Sequence, residues 1–387
     1  MNVSVRKTTI LVTCLFLLSG FSGLVYELVW IRLLSHLLGG TTFAISTVLA
    51  AFMGGLALGS FYFGRRIDAN PQPLRLYAWL ELGIVVGGGL VPVLIHLLQP
   101  LYVAAAHTLP GPALGLLRVL VAMLLILPPT ILMGGTLPVL SRFIVRRADR
   151  LGRGLGMLYA VNTLGAVLGA FLSGFVLIPA FGLIGSTGIA MAGNLVAGLG
   201  ALLLWKFTGH AVSAEPTPTI EPTSNGRAAS PELNLRLLTG IFALSGFAAL
   251  GFELYWSRAL HHFLGNSTFA FSAMLTTFLC GLAGGGWLGG RLADRVSSPA
   301  QLLGRVQAGV ALSAAATVPL IWNWLPGLED TAFFSGRHLG WSTYLGRRFL
   351  ACFVVMLVPT FLSGMTFPLG NRIGIAGLNA LGRDVGR

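Results

Sequence analysis

The chain carries one long apolar segment twice, and this duplication limits the folds open to it more than any other feature. Residues 16–68 and 242–294 align without a gap, and roughly half of the about fifty aligned positions are identical. Polar side chains are kept in register inside both copies, namely Glu27 with Glu253, Arg32 with Arg258, and His36 with His262. Duplicated apolar halves with retained polar positions are typical of transporter folds.

The composition indicates a chain that lies in lipid. Charged residues make up 10% of it and apolar residues 55%, whereas a soluble domain carries about 25% charged residues. The net charge is +13, but the basic residues lie between the apolar runs and form no continuous patch. We therefore expect the lipid bilayer to be the main partner and expect no nucleic acid.

Apolar runs of about 20 residues, the length of a membrane-crossing helix, predict the architecture. The predicted spans lie near 10–34, 41–63, 76–98, 117–141, 155–178, 182–205, 237–261, 267–289, 302–325 and 348–370. The sequence predicts an all-α polytopic membrane protein with a duplicated six-span repeat whose second copy is truncated, giving about ten transmembrane helices. The predicted divisions are a first repeat at 1–206, a cytoplasmic linker rich in Pro, Ser, Thr and Glu at 207–235, and a second repeat at 236–387.

Lysine and arginine predict the orientation. Arg6 and Lys7 precede the first span, and most other basic residues fall in alternate connections on the same side, such as the arginines at 142–153. The positive-inside rule then places the N-terminus in the cytoplasm. We expect a multi-pass protein of the inner (plasma) membrane.

The second repeat stops early. LPPTILMGGTLPVLSRF in the fourth span matches LVPTFLSGMTFPLGNRI in the tenth, and the residues 151–156 that open the fifth span match 381–386. The last two spans of the second copy have no counterpart in the sequence. We expect a longer chain, or a partner chain, to supply them.

Acidic residues inside apolar spans are the first candidates for function, since an intramembrane charge is costly and normally faces a cavity or a partner. Glu27 and Glu253 offer a site for a cation or proton, whereas Arg32, His36, Arg258 and His262 lie one to two turns further along the same helices. The alternative is a structural ion pair between the halves. Glu81 offers a substrate or proton site, although its counterpart is Gln307, which suits a packing hydrogen bond equally well.

Proline pairs mark a second candidate region in the fourth and tenth spans. Prolines inside a helix free backbone carbonyls, and interrupted helices at matching positions indicate a midplane binding site. The hydroxyls of Thr130, Thr136, Thr360 and Thr366 lie beside these prolines. They either line such a site or satisfy carbonyls at kinks that serve packing alone.

Two turn motifs are expected to be structural, and enzyme motifs are missing. Gly64, Arg65 and Asp68 recur as Gly290, Arg291 and Asp294, and predict a charge-paired turn between helices. No glycine-rich nucleotide loop, zinc spacing or nucleophile elbow occurs. We therefore assign no catalytic residue, no metal ligand and no cofactor.

The turn GGRLADR and the six-plus-six plan resemble major facilitator carriers. A broader resemblance lies in SGFSGLVYELVWIRLL, TTFAISTVLAAFMGGLALGS, PPTILMGGTLP and LYAVNTLGAVLGAFLSGF, which are similar to the membrane half of bacterial spermidine-synthase-like proteins. That resemblance implies a carrier-like region fused to an aminopropyltransferase domain that this sequence does not contain.

Two functional hypotheses follow. The first is a carrier-like membrane module that binds or transports polyamines or related small cations and is linked to aminopropyl transfer. The second is a membrane anchor or assembly subunit without transport. Whether the protein is an enzyme stays open, because the implied synthase residues have no matching positions here.

Overall fold

A computed structural model describes residues 3–38, 42–145, 150–208, 235–264, 268–329, 340–375 and 381–386. Every regular element over these ranges is helical, as predicted. The helices are α1 (Val3–Leu38), α2 (Thr42–Ile67), α3 (Pro73–Thr108), α4 (Gly111–Ile144), α5 (Leu151–Leu172), α6 (Ile178–Thr208), α7 (Leu235–Leu264), α8 (Thr268–Ala293), α9 (Pro299–Pro319), α10 (Leu325–Glu329), α11 (Trp341–Gly374) and α12 (Leu381–Val385). Most of the predicted linker lies outside the described residues.

Within the described part of the chain, 9 helical stretches are long and apolar enough to cross a membrane. One of them, Leu151–Phe207, has 57 residues, far more than one crossing needs. It contains a π-helical turn at Ser173–Leu177 and a break at Gly182, where φ is 66°. Because α5 and α6 both pack on α1, this stretch supplies two of the ten predicted spans.

We call helices α1–α6 the first half and helices α7–α12 the second half. Each half contains one close helix crossing, α2 with α4 and α8 with α11. Gly59 lies against the backbone carbonyl of Ile131, and its counterpart Gly285 lies against the carbonyl of Phe361. A side chain at either glycine would collide with backbone, so the crossings require glycine there. Small residues that let helix backbones approach are the usual basis of packing in lipid.

Helix α5 joins the two halves, because it packs against α1 of the first half and α8 of the second. Gly165 and Gly169 lie against the backbone of α1 at Leu17 and Phe21. On the opposite helix face, Gly156 lies against the backbone of α8 near Gly290. The short α12 takes the corresponding place beside α2.

Two aspartates, Asp68 and Asp294, connect the halves at the turns that carry the repeated Gly, Arg and Asp residues. We call these two contacts the aspartate clasps. Asp68, after α2, accepts hydrogen bonds from the backbone N–H groups of Gly382 and Arg383 at 2.8 and 2.9 Å. Asp294, after α8, accepts the equivalent bonds from Gly152 and Arg153 at 2.9 and 2.8 Å. Each carboxylate thus caps the first turn of a helix in the other half, where it complements the helix dipole.

Candidate functional site

Two buried glutamates, one from each half, lie within electrostatic range of each other. Glu27 on α1 is 3% exposed and Glu253 on α7 is 5% exposed. Glu253 lies close enough to Glu27 to influence it electrostatically, so the two acidic positions that the repeat keeps in register lie in the same region of the fold. Residues next to the pair also bridge the halves, since Leu28 packs with Ala170 of α5 and Leu275 of α8.

Aromatic side chains accompany each glutamate in the same arrangement. Tyr26 stacks on Trp30 with ring centroids 5.3 Å apart, and Phe252 stacks on Trp256 at 5.6 Å. Each tryptophan also meets one phenylalanine of the next helix at 6.3 Å. Carboxyl groups beside aromatic rings form an environment that suits organic ammonium ions.

The pair has no internal counter-charge in the part of the chain that the structure describes. No basic side chain acts electrostatically on Glu27 or Glu253 there, and ion pairs of the described residues such as Arg142 with Asp68 and Arg372 with Asp294 involve other carboxylates. Two like charges in apolar surroundings repel each other, and an uncompensated buried charge is costly. The arrangement therefore favours a bound cation or a proton between the two carboxyl groups.

The basic candidates lie apart from this pair. Arg32 is half-buried, whereas His36 and Arg258 are exposed at the ends of α1 and α7. The side chain of His262 lies outside the described residues. The structure does not bring Arg32, His36 or Arg258 to Glu27 or Glu253.

Glu81 lies in a second buried polar cluster, confined to the first half. It is fully buried on α3 and accepts a hydrogen bond at 2.5 Å from the Asn194 amide on α6. Ser19 on α1 and Tyr77 on α3 adjoin its carboxyl group. Several polar atoms here have no hydrogen-bond partner in the structure: Glu81 Oε1, Asn194 Oδ1, Tyr77 OH, Tyr26 OH, Ser22 Oγ and Trp30 Nε1.

The equivalent place in the second half has its polar groups paired. Gln307 stands where the first half has Glu81, and its amide donates to Ser245 at 2.9 Å. The Trp256 indole N–H donates to Thr317 at 3.0 Å, whereas Val91 stands at the matching position beside Trp30. Ser245 corresponds to Ser19, which adjoins Glu81, so both halves share this serine contact. The halves differ at the tryptophan, because the Trp30 N–H has no partner in the structure and the Trp256 N–H has one.

The four threonines donate within their own helices. Thr130 and Thr360 donate to the carbonyls of Ile126 and Met356 at 2.7 and 2.8 Å. Thr136 and Thr366 donate to the carbonyls of residues three positions earlier, both at 2.7 Å. Thr130 and Thr360 also touch Gly55 and Gly281 at the helix crossings, which is the geometry of the packing alternative.

Asn194 was not singled out in the sequence, although it is a lone amide inside the apolar run of α6. An isolated amide in a membrane helix is a general sign of an interhelical hydrogen bond. The isolated amide could have identified Asn194 as a candidate from the sequence, but it could not have identified Glu81 as its hydrogen-bond partner.

Comparison with known proteins gives a distant relationship. No protein-family model matches the chain. Polyamine aminopropyltransferases 2 and 1 of Ralstonia nicotianae (strain ATCC BAA-1114 / GMI1000) are each 27% identical to it over 257 residues, or 66% of the chain. The chain spans less than half the length of these curated relatives, 45% and 43% respectively.

Proposed function

We propose that this chain is a carrier-like membrane module, related to polyamine aminopropyltransferases, in which Glu27 and Glu253 jointly bind a small organic cation. The observation that carries the proposal is the presence of two buried carboxyl groups, one from each half, within electrostatic range of each other and without a basic partner among the described residues. A site shared by two repeats suits alternating access, because relative movement of the halves would expose it to either side.

The symmetry of the packing supports a carrier-like plan. The glycine crossings and the aspartate clasps occur in both halves at matching positions. The clasps join the halves through a few polar contacts that can be broken and remade. We place the N-terminus in the cytoplasm and the module in the inner membrane on the distribution of arginine and lysine.

The substrate class follows from the site and the relatives together. Two carboxyl groups match the charge of a diamine, or two of the three charges of a triamine, and the neighbouring aromatic rings suit the ammonium and methylene groups of such a cation. The two relatives are named for aminopropyl transfer to polyamines. We infer polyamines, or cations of the same type, as the ligands of this module.

An uncovered face of α7 favours a second role, assembly with further helices. Leu244 and Phe247 are 70% and 77% exposed on α7. Phe247 corresponds to Phe21, whose backbone on α1 is covered by Gly169 of α5. We propose that two further helices, from a longer form of this chain or from a partner that carries the synthase domain, cover α7 as α5 and α6 cover α1.

The test is spermidine binding to the purified chain in lipid nanodiscs, measured by isothermal titration calorimetry. Removing one carboxyl group by E27Q or E253Q is expected to weaken binding at least about tenfold, equivalent to about 1.4 kcal/mol, and the double variant is expected to abolish it. E215Q, which removes the same charge in the predicted linker, is the control and should bind as the wild type does.

The melting temperature of each variant in detergent separates loss of binding from loss of folding. A folded double variant that binds spermidine with wild-type affinity would overturn the acidic site. Absence of binding to the wild type and every variant would favour an anchor or assembly subunit.

A further inference from the structure

We propose that Glu81 is a proton-binding site that holds its proton as a carboxylic acid paired with the Asn194 amide. The site is distinct from the Glu27 and Glu253 pair and belongs to the first half alone. It does not depend on the proposed binding of an organic cation.

The pattern of unpaired atoms carries the argument. The Asn194 amide N–H donates to Glu81 Oε2 at 2.5 Å, and the hydroxyls of Ser19 and Tyr77 adjoin the same carboxyl group. Glu81 Oε1 and Asn194 Oδ1 nevertheless have no hydrogen-bond partner of good geometry. These two oxygens belong to the same acid and amide groups that already share one bond. A single hydrogen on Oε1, donated to Oδ1, would give both oxygens a partner and close a reciprocal acid–amide pair.

The surroundings favour the neutral acid. Glu81 is fully buried in a membrane helix, and no charged side chain acts on it electrostatically. The ionisable groups that face it are Tyr77 on α3 and Tyr26 on α1, whereas α4 and α6 carry basic residues only toward their ends. A carboxylate here would be a buried charge compensated by hydrogen bonds from the neutral groups Asn194, Ser19 and Tyr77 alone, without a basic partner.

The other half gives an independent comparison. Gln307, at the matching position, is a neutral side chain with the shape of a protonated glutamate, and its hydrogen bonds are made with Ser245. Position 307 thus has permanently the neutral form that Glu81 reaches only by binding a proton. The first half alone can change its charge at this position.

Release of the proton has a structural consequence. Deprotonation sends the Oε1 hydrogen to water and leaves a carboxylate beside Asn194 Oδ1, so two acceptors face each other. In that state the carboxylate on α3 relies on the Ser19 and Tyr77 hydroxyls as donors, and it repels the Asn194 amide oxygen on α6. The contact between these helices therefore responds to proton binding.

Infrared spectroscopy of the whole chain in nanodiscs tests the proposal directly. The buried carboxyl groups in the described ranges are Glu27, Glu81 and Glu253, so E27Q/E253Q serves as the background. We expect this protein to show the C=O band of a protonated acid at pH 7, which E81Q removes. N194L should shift the band to higher frequency, because it deletes the hydrogen bond.

Three results would overturn the proposal: no protonated-acid band in the background at pH 7, a band that survives E81Q, or a frequency that N194L leaves unchanged. Loss of the band on adding sodium ions at constant pH would make the site a metal-cation site and would also overturn it. If E81Q does not fold, ¹³C-labelled glutamate in the background protein reports the acid and carboxylate forms without that variant. Spermidine binding is not used in these measurements, so the proposed function can fail independently.

Discussion

The two halves share a backbone plan but differ in the polar groups at their centres. The first half places Tyr26, Tyr77 and Glu81 where the second has Phe252, Leu303 and Gln307. In the first half these groups and the Trp30 N–H are left with unpaired polar atoms, whereas Gln307 and Trp256 are paired. A repeat thus keeps the residues that set helix crossings in both copies, while one copy retains groups with unmet hydrogen-bonding capacity.

Substitutions at the glycines of the two helix crossings should have the largest effect on the free energy of unfolding. They also test whether the two crossings are equivalent. G59V and G285V both force a side chain into a backbone carbonyl, so each should lower the free energy of unfolding by about 3 kcal/mol or prevent folding. Thermal unfolding in detergent measures the change. G54A, on the same helix with open space around it, is the control. A large loss of stability in one variant and none in the other would show that the two crossings are not equivalent.

The aspartate clasps should give the next largest effect. D68A and D294A each remove two charge-assisted bonds to backbone N–H groups, at an expected cost of about 2 kcal/mol. D68N and D294N, which keep one carbonyl acceptor, should lose less. Arg66, stacked on Tyr62, provides the surface control R66A. Clasp variants that melt as the wild type does would show that the halves are held together by apolar packing alone.

Substitutions at the hydrogen-bond partners of the two tryptophans should change the stability of the protein less, and with opposite sign in the two halves. T317V deletes the acceptor of the Trp256 N–H and should cost about 1 kcal/mol, because a buried donor loses its partner. V91T should give Trp30 the partner that it lacks and stabilise the protein by a fraction of that. The melting temperatures of both variants, compared with that of the wild type, measure these changes in stability. Equal destabilisation by both would mean that the unpaired Trp30 N–H does not reflect the missing threonine.

Much of the fold could be predicted from the sequence because the signals are local. Apolar length predicts the spans, and the spacing of small residues predicts close helix approach. Which helices pack against each other cannot be predicted from one segment. Helix α5, for example, packs against both α1 and α8, and this depends on all three helices together. The crossings of α2 with α4 and of α8 with α11 occur at matching positions of the duplicated segments, but they became visible only in the tertiary structure.

The sequence by itself determined the duplication, the apolar spans and the identity of the acidic residues, since these depend on composition and spacing along one helix. The tertiary structure alone decided which of them meet. Asn194 and Glu81 are 113 residues apart, and Asp68 and Gly382 are 314 apart. Such pairings depend on how helices rotate and stack in three dimensions. The same packing places Glu27 within electrostatic range of Glu253 and brings Glu81 to Asn194 within one half.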